Sequence, residues 1–338
     1  MKYYVNEKIY TSKGKLISSE RITGDTEDLN WAKKQMDHRF NAKLFAERNN
    51  IQPGAITTSA TSCSLELKND RRYVVCIEEK ANKIYNASEI IIGLNNHFDG
   101  DWAKVYEAIS KRESCEIEES WFKLSKSPTI SLLDLEYPNS LKQVYQPPFA
   151  LYYKGDIKLL SSKSYVKLAI TARRGTHENL LFRVQSDIRA LPQNVIIVTS
   201  DERIVEYALA GSKPHKVILV KACGMNKKVP NINVWTEMKI IQNGGLIITH
   251  LPDDVPATPA NFYIKNKIMS GIADGLLVVD ALPQGSGIML VTLCLANGKD
   301  VMAYPTFPQY NNSINNTLIS EGAYLVEKAE DIKNILKL

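Results

Sequence analysis

Residues 275–303, GLLVVDALPQGSGIMLVTLCLANGKDVMA, decide the fold. The run GLLVVDA is apolar throughout rather than alternating, which is how a strand buried on both faces of a parallel sheet reads. The glycine turn Gly285-Ser286-Gly287 follows it and opens an apolar segment of helix length, GIMLVTLCLANG. A second β-branched run, KDVMAYP, comes next. Strand, turn, helix and strand in that order form the repeating unit of a parallel sheet.

Working outward, the same alternation extends back to Pro128. The runs FALYYKG, YVKLAIT, NVIIVTS, KVILVKA and GLIITHL are separated by the helix-length segments ENLLFRVQSDIRAL, DERIVEYALAG, NVWTEMKIIQN and PANFYIKNKIMSGIA. The expected class over residues 127–338 is α/β, with a doubly wound parallel sheet.

Residues 1–81 follow a different rule. Two β-rich runs flank SKGK, a helical pattern carries Leu29, Met36, Phe40 and Leu44 with Asp25 or Thr26 as its cap, and AITTSATSCSLELK and RRYVVCIEEK follow, separated by NDR. The expectation is a small α+β domain of the form ββαββ, whose role is not legible from its residues. Residues 82–126 read as a helical connector of three short segments, ASEIIIGLNNHF, DGDWAKVYEAISKRE and EIEESWFKLS, with Asp99 or Asp101 as a cap.

Composition narrows the function classes. A chain of 338 residues with 44% apolar and 23% charged side chains can bury a substantial core, and its formal net charge of +5 permits a polyanionic partner without demanding one. The five cysteines Cys63, Cys76, Cys115, Cys223 and Cys294 are scattered without a CxxC, which speaks against zinc and for free thiols in a reducing compartment. The start MKYYVNEKIYTSKGK has no apolar signal region, and no apolar stretch approaches membrane-spanning length. A soluble cytoplasmic protein with no membrane partner is expected.

Ligands of open α/β sheets bind outside the carboxyl ends of the strands. Three stretches fall there. Arg173 and Arg174, with Gly175 and Thr176, follow YVKLAIT; they read either as a bidentate phosphate grip or as two exposed loop arginines. Gly285, Ser286 and Gly287 precede a helix start. They read either as an anion cradle made of unpaired N–H groups or as a tight turn with Ser286 as helix cap.

Lys265, Asn266 and Lys267 sit near a helix start, with Phe262, Ile268, Met269 and Ile272 toward the core. The lysines read as a solvated pair or as cations presented to the same rim as Ser286. Asp280 ends a strand, as inward acceptor or rim residue. His177 and His250 also lie at strand ends, but no Ser-His-Asp order, HExxH, nucleophile elbow or carboxylate pair accompanies them. No catalytic residue, metal or cofactor is expected.

Five segments in order resemble the DprA/Smf family (DNA-processing protein A). YPNSLKQVYQPPFALYYKGD carries Tyr137-Pro138, Leu141, Pro148, Leu151, Tyr152 and Lys154-Gly155-Asp156. LAITARRGT is similar to the family's glycine-serine-arginine turn with its following threonine. NGGLIITHLP, NFYIKNKIMSGIADGLLVVDA and the tail TFPQYNNSINNTLISEGAYLVEKAEDIKNIL complete the series.

The resemblance implies an extended Rossmann-like domain that binds single-stranded DNA without catalysis, forms a homodimer and helps load a RecA-type recombinase in DNA recombination or DNA uptake. It places Arg174 on the turn arginine, Lys265 and Lys267 on the two arginines of an Arg-Asn-Arg motif, Asn266 on its asparagine, and Gly285, Ser286 and Gly287 on a small-residue turn. The chain departs from the pattern at Ala172, Arg173 and His250. TSDERIVEYALAG also replaces a glycine-rich segment, so that wall of the pocket is absent or rebuilt.

DNA held through phosphates predicts steep salt dependence and slight sequence preference. Tyr263 reads as a base-stacking platform or as a half-buried tyrosine. Two further readings stay open: a nucleotide-binding sensor and a protein-interaction scaffold. Nucleotide N-glycosidase chemistry is disfavoured because no acid follows the glycine turn, where IMLVTL stands.

Overall fold

A computed structural model describes residues 2–11, 13–47, 51–59, 61–67, 71–80, 85–111, 119–228, 232–307 and 312–338. Cys115, residues 69–70 of the NDR turn and the start of EIEESWFKLS lie outside the described residues. The chain divides into two units, Met1–Ile84 and Tyr85–Leu338.

In the first unit, strands β1 (Lys2–Thr11) and β2 (Leu16–Arg21) form a hairpin, helix α1 (Leu29–Ala46) follows, and β3 (Ile51–Thr58), β4 (Ser62–Leu67) and β5 (Arg71–Lys80) complete an antiparallel sheet in the order β2-β1-β5-β4-β3. The helix buries Ala32, Met36 and Phe40 against Val5, Leu65, Tyr73 and Val75. Its cap is Asp28, whose carboxylate accepts from the N–H groups of Asn30 and Trp31, rather than Asp25 or Thr26. Thr26 instead bridges to Tyr3.

The sheet has five strands where four were expected. The run AITTSATSCSLELK folds back on itself at Ser59, whose hydroxyl and N–H both pair with Ser62. A turn closed by serine hydroxyls carries neither glycine nor proline, so the usual punctuation is missing.

The second unit begins with helices α2 (Ala87–His97) and α3 (Trp102–Ser110), capped by Asn86 and Asp101. The segment read as a connector is tied to the large sheet. Asn95 Nδ2 donates to Tyr152 Oη at 3.0 Å and to the His250 carbonyl at 3.2 Å, and Tyr152 Oη donates to Asn96 Oδ1 at 2.5 Å.

Then come β6 (Thr129–Ser131), α4 (Asn139–Lys142), β7 (Ala150–Gly155), β8 (Val166–Ala172), α5 (Glu178–Ala190), β9 (Val195–Thr199), α6 (Glu202–Leu209), β10 (Val217–Val220), α7 (Val234–Gln242) and β11 (Leu246–Thr249). The chain finishes with α8 (Pro259–Ile272), β12 (Gly275–Asp280), α9 (Ser286–Ala296), β13 (Asp300–Ala303), α10 (Asn315–Ser320), β14 (Tyr324–Leu325) and α11 (Ala329–Leu336).

The nine strands lie in the order β14-β13-β12-β8-β9-β10-β11-β7-β6. Strands β8 to β14 are parallel, while β7 pairs antiparallel with β11 and β6 antiparallel with β7. The sheet is therefore mixed at one edge, with the parallel body that the uninterrupted apolar runs predict. All six residues of β12 and all four of β10 are buried, because helices cover both faces.

The β7–β11 junction explains two glycines. Gly155 has φ +98°, and a Cβ there would stand 2.2 Å from the Gly245 carbonyl oxygen. That oxygen accepts from Asp156 N–H at 3.1 Å. KGD and NGG are thus one backbone contact that tolerates no side chain.

From β8 the chain moves one way through β9, β10 and β11, then returns to the other side of β8 for β12, β13 and β14. The switch point falls between the carboxyl ends of β8 and β12, which is where such a sheet leaves a crevice.

Candidate nucleic-acid interface

A cavity of ≈ 600 Å³ occupies that crevice, lined by the turn after β8, residues 199–203 at the end of β9, the turn after β12, and Phe262 and Lys265 of α8. Each wall follows from its strand. Residues 173–176 leave β8 in a turn closed by Thr176, whose N–H and hydroxyl both donate to the Arg173 carbonyl, at 3.3 and 2.7 Å. Thr176 is buried and its hydroxyl is used inside the turn.

The two arginines have different surroundings. Arg173 Nε donates to Asp280 Oδ2 at 2.6 Å, and Asp280 is 1% exposed. Arg174 is exposed, and among the described residues it has no hydrogen-bond or ion-pair partner. A third arginine, Arg203, braces the turn from behind. Its Nη2 donates to the Arg173 carbonyl at 3.0 Å and to Asp201 Oδ2 at 2.6 Å. Asp201 holds the Arg203 guanidinium above its ordinary pKa.

The lysines of α8 separate. Successive helical residues turn by about 100°, so Lys265 and Lys267 project from nearly opposite faces. Lys265 faces the cavity, 6% exposed, and its Nζ donates to Ser200 Oγ at 2.8 Å. Burial pushes its pKa down to about 8, with the nearby Asp201 carboxylate opposing that shift. Lys267 leaves the cavity and donates to the Gln146 carbonyl at 3.3 Å, with the Tyr145 and Tyr263 rings 5.9 and 5.2 Å away. It lies beside His250, whose complete burial pushes its pKa down to about 3. All three of Lys265, Asn266 and Lys267 lie in the body of the helix rather than at its start, and all are buried. Phe262, expected toward the core, is 39% exposed and lines the cavity.

Asn266 joins the two motifs. Its Nδ2 donates to the Ser286 carbonyl and to Ser286 Oγ, both at 2.9 Å. The helix cap is therefore Gly285, not Ser286, and no side chain caps α9. With the serine hydroxyl held by Asn266, the first N–H groups of α9 meet the cavity unoccupied by a capping oxygen. Gly287 packs closely on the residue that follows β12: a Cβ there would lie 3.1 Å from Ala281 Cβ.

The residues brought together at the cavity are thus Arg173, Arg174, Lys265, Gly285, Ser286 and Gly287. Asn266 supports them from below, Thr176 serves the turn, and Lys267 faces elsewhere. Sequence reasoning missed Ser200, Asp201 and Arg203. They directly follow the β-branched run NVIIVT, so the strand-end rule that selected the arginines selects them too. They line the cavity in the segment TSDERIVEYALAG, where the sequence departs from the family's pattern.

Comparison with known proteins agrees with this architecture. The chain is similar over 212 residues to the DNA processing protein DprA of Streptococcus pneumoniae, at 26% identity, covering 61% of this chain and 73% of that protein. It is 28% identical over 196 residues to protein Smf of Borreliella burgdorferi, covering 56% of this chain and 60% of that relative. Among solved structures, pneumococcal DprA superposes with a TM-score of 0.58 at 24% identity, covering 69% of this chain and 81% of that one. DNA processing protein A of Helicobacter pylori, whose structure was described for its single-stranded DNA binding mode, superposes with a TM-score of 0.51 at 20% identity, covering 63% of this chain and 97% of that one. The family model for DNA recombination-mediator protein A matches residues 128–337. From the large unit's first sheet strand to its last helix, the chain belongs to the DNA recombination-mediator protein A family.

Proposed function

We propose that the strand-end cavity holds the phosphate backbone of single-stranded DNA, without catalysing a reaction on it. The observation that carries this reading is the convergence at one switch point of an unpaired arginine, a desolvated lysine and an uncapped helix N-terminus. Arg174 supplies a guanidinium that no carboxylate among the described residues competes for. Lys265 supplies a cation already stripped of water, so an arriving phosphate recovers charge stabilisation that the fold withholds. The start of α9 supplies backbone donors. Arg173 and Arg203 are each engaged by a carboxylate and hold the shape of the turn.

Loading of a RecA-type recombinase during recombination or DNA uptake, and residence in the cytoplasm, follow from the family in this reading. No helix among the described residues is long and apolar enough to cross a membrane. A homodimer suits the apolar side chains left exposed on this unit, Met289 and Leu295 on α9 and Tyr324 and Leu325 on the edge strand β14. A nucleotide sensor is the second reading, favoured by a cavity volume in the range of small-molecule sites.

The test is fluorescence polarisation of a labelled oligo-dT across a salt series, on the wild type, Arg174→Ala, Lys265→Ala and the double variant. Each single change is expected to weaken binding by roughly tenfold, the scale of one charge-assisted hydrogen bond. No binding at low salt sinks the proposal. Displacement of the oligonucleotide by a micromolar mononucleotide transfers the cavity to the second reading.

A further inference from the structure

We propose that one end of the small five-stranded sheet is a second DNA-backbone site, separate from the strand-end cavity. The sequence places charge unevenly. Residues 1–84 carry fifteen Lys and Arg against eleven Asp and Glu, so four of the chain's five net positive charges lie in its first quarter. Strand register then gathers part of this excess. The β1–β2 turn is closed by Thr11 N–H donating to the Lys15 carbonyl at 2.8 Å and by Gly14 N–H donating to the Thr11 carbonyl at 2.9 Å, with Gly14 at φ +81°. On the other side of β1, Thr11 pairs with Arg71 and Tyr10 with Arg72. Lys13, Lys15, Arg71 and Arg72 therefore stand together at one end of three adjacent strands, and all four are exposed.

Four other cations of the unit are engaged by carboxylates. Along the strands and helix, Lys8 pairs with Glu78, Arg21 with Asp25, Arg39 with Glu7 and Lys43 with Glu47. Among the described residues, none of the four at the turn end forms an ion pair; Arg72 spends one N–H on Ser64 Oγ at 3.3 Å. Glu66 lies across from Arg72 in register without bonding to it. The opposite end is mixed in charge: Lys2 pairs in register with Lys80 and Tyr4 with Glu78, and Asp25 and Asp28 flank the Tyr3–Thr26 bridge.

Strands about 5 Å apart spread the four cations across roughly 10 Å. A nucleic-acid strand, with a phosphate about every 3.4 Å along a duplex axis, offers two or three phosphates over that span. What gathers there is charge on flexible exposed side chains, which suits backbone phosphates rather than bases. DNA is the polyanion inferred because the large unit belongs to a DNA recombination family, and to that extent the inference rests on the function proposed above.

The experiment uses the full chain and labelled dT30, with a salt series on Lys13→Ala/Lys15→Ala/Arg71→Ala, on Arg174→Ala/Lys265→Ala, and on the five-fold variant. The triple variant is expected to lose about tenfold in affinity near 0.1 M salt. Its log–log salt slope should become shallower by about two, at about 0.7 per lost phosphate contact. The charge-preserving set Lys13→Arg/Lys15→Arg/Arg71→Lys should bind as wild type. Unchanged affinity and slope in the triple variant overturn the inference, even where the cavity variant binds weakly and the first proposal stands. Loss in the triple variant with none in the cavity variant keeps this site and removes the other. A tenfold preference for an RNA of the same length at this end also overturns it. An unchanged melting temperature confirms that the exposed substitutions leave the fold intact.

Discussion

The cations of the large unit's cavity and those at the turn end of the small sheet carry the same charge in different physical states. In the cavity three of the four are positioned by the fold: Arg173 is bound to a buried carboxylate, Arg203 braces the turn, and Lys265 is desolvated against Ser200, while Arg174 stands exposed beside them. At the small sheet's end, Lys13, Lys15 and Arg71 are exposed to solvent. A desolvated cation has lost its water in folding, so a phosphate there gains more than it does against a hydrated one. Specific anchoring belongs to the first kind of site, and length-dependent, salt-sensitive affinity to the second.

Charge reversal should separate them most. Lys265→Glu places a carboxylate in the cavity beside Asp201 and is expected to lower oligo-dT affinity by about a hundredfold or more. Lys13→Glu should cost about three- to fivefold at the same salt, the scale of one exposed charge contact. Polarisation titrations of the two variants side by side decide it; equal losses would erase the distinction between the regions.

The pH dependence sharpens it at the next scale. Lys265 in the free protein titrates near pH 8, and phosphate binding needs it charged. Between pH 7 and 9 the affinity is expected to fall about tenfold, and Lys265→Arg should flatten that profile because arginine stays protonated. The sign for stability is opposite. The folded pKa lies below the unfolded value near 10.5, so from about pH 8 to 10.5 the unfolded chain holds more protons than the folded one. Over that window this lysine's contribution to stability rises with pH. Melting curves of wild type and Lys265→Met over pH 7–10 check it.

How much of this was legible differs by element. The parallel body was, because strands buried on both faces write themselves as unbroken apolar runs, as in GLLVVD and VIIVT. The edge strand β6 and the two-residue β14 were not, since neither has enough residues to show a period. At the site, a local rule reached Arg173, Arg174 and the glycine turn, each directly after a strand. It did not reach the difference between the two arginines, which depends on Asp280, 107 residues away. Nor did it reach the role of Asn266, whose amide serves a turn 20 residues further along the chain. Spacing within a motif says which residues are near; only the fold says which atoms meet.

Lys267 is where motif and geometry disagree, and the smallest expected effect tests it. Resemblance puts Lys265 and Lys267 on equivalent arginines, but two residues on a helix point nearly opposite ways. Lys267 Nζ is fixed on the Gln146 carbonyl, away from the cavity, and burial lowers its pKa without any carboxylate to offset the cost. Lys267→Met keeps the aliphatic stem and removes the buried charge. Oligo-dT affinity should change by less than about twofold, while Lys265→Met in parallel loses about tenfold. A tenfold loss from Lys267→Met would place the DNA on both faces of α8. The exposed rings of Tyr145 and Tyr263 beside Lys267 would then be the stacking surface that a strand leaving the cavity meets.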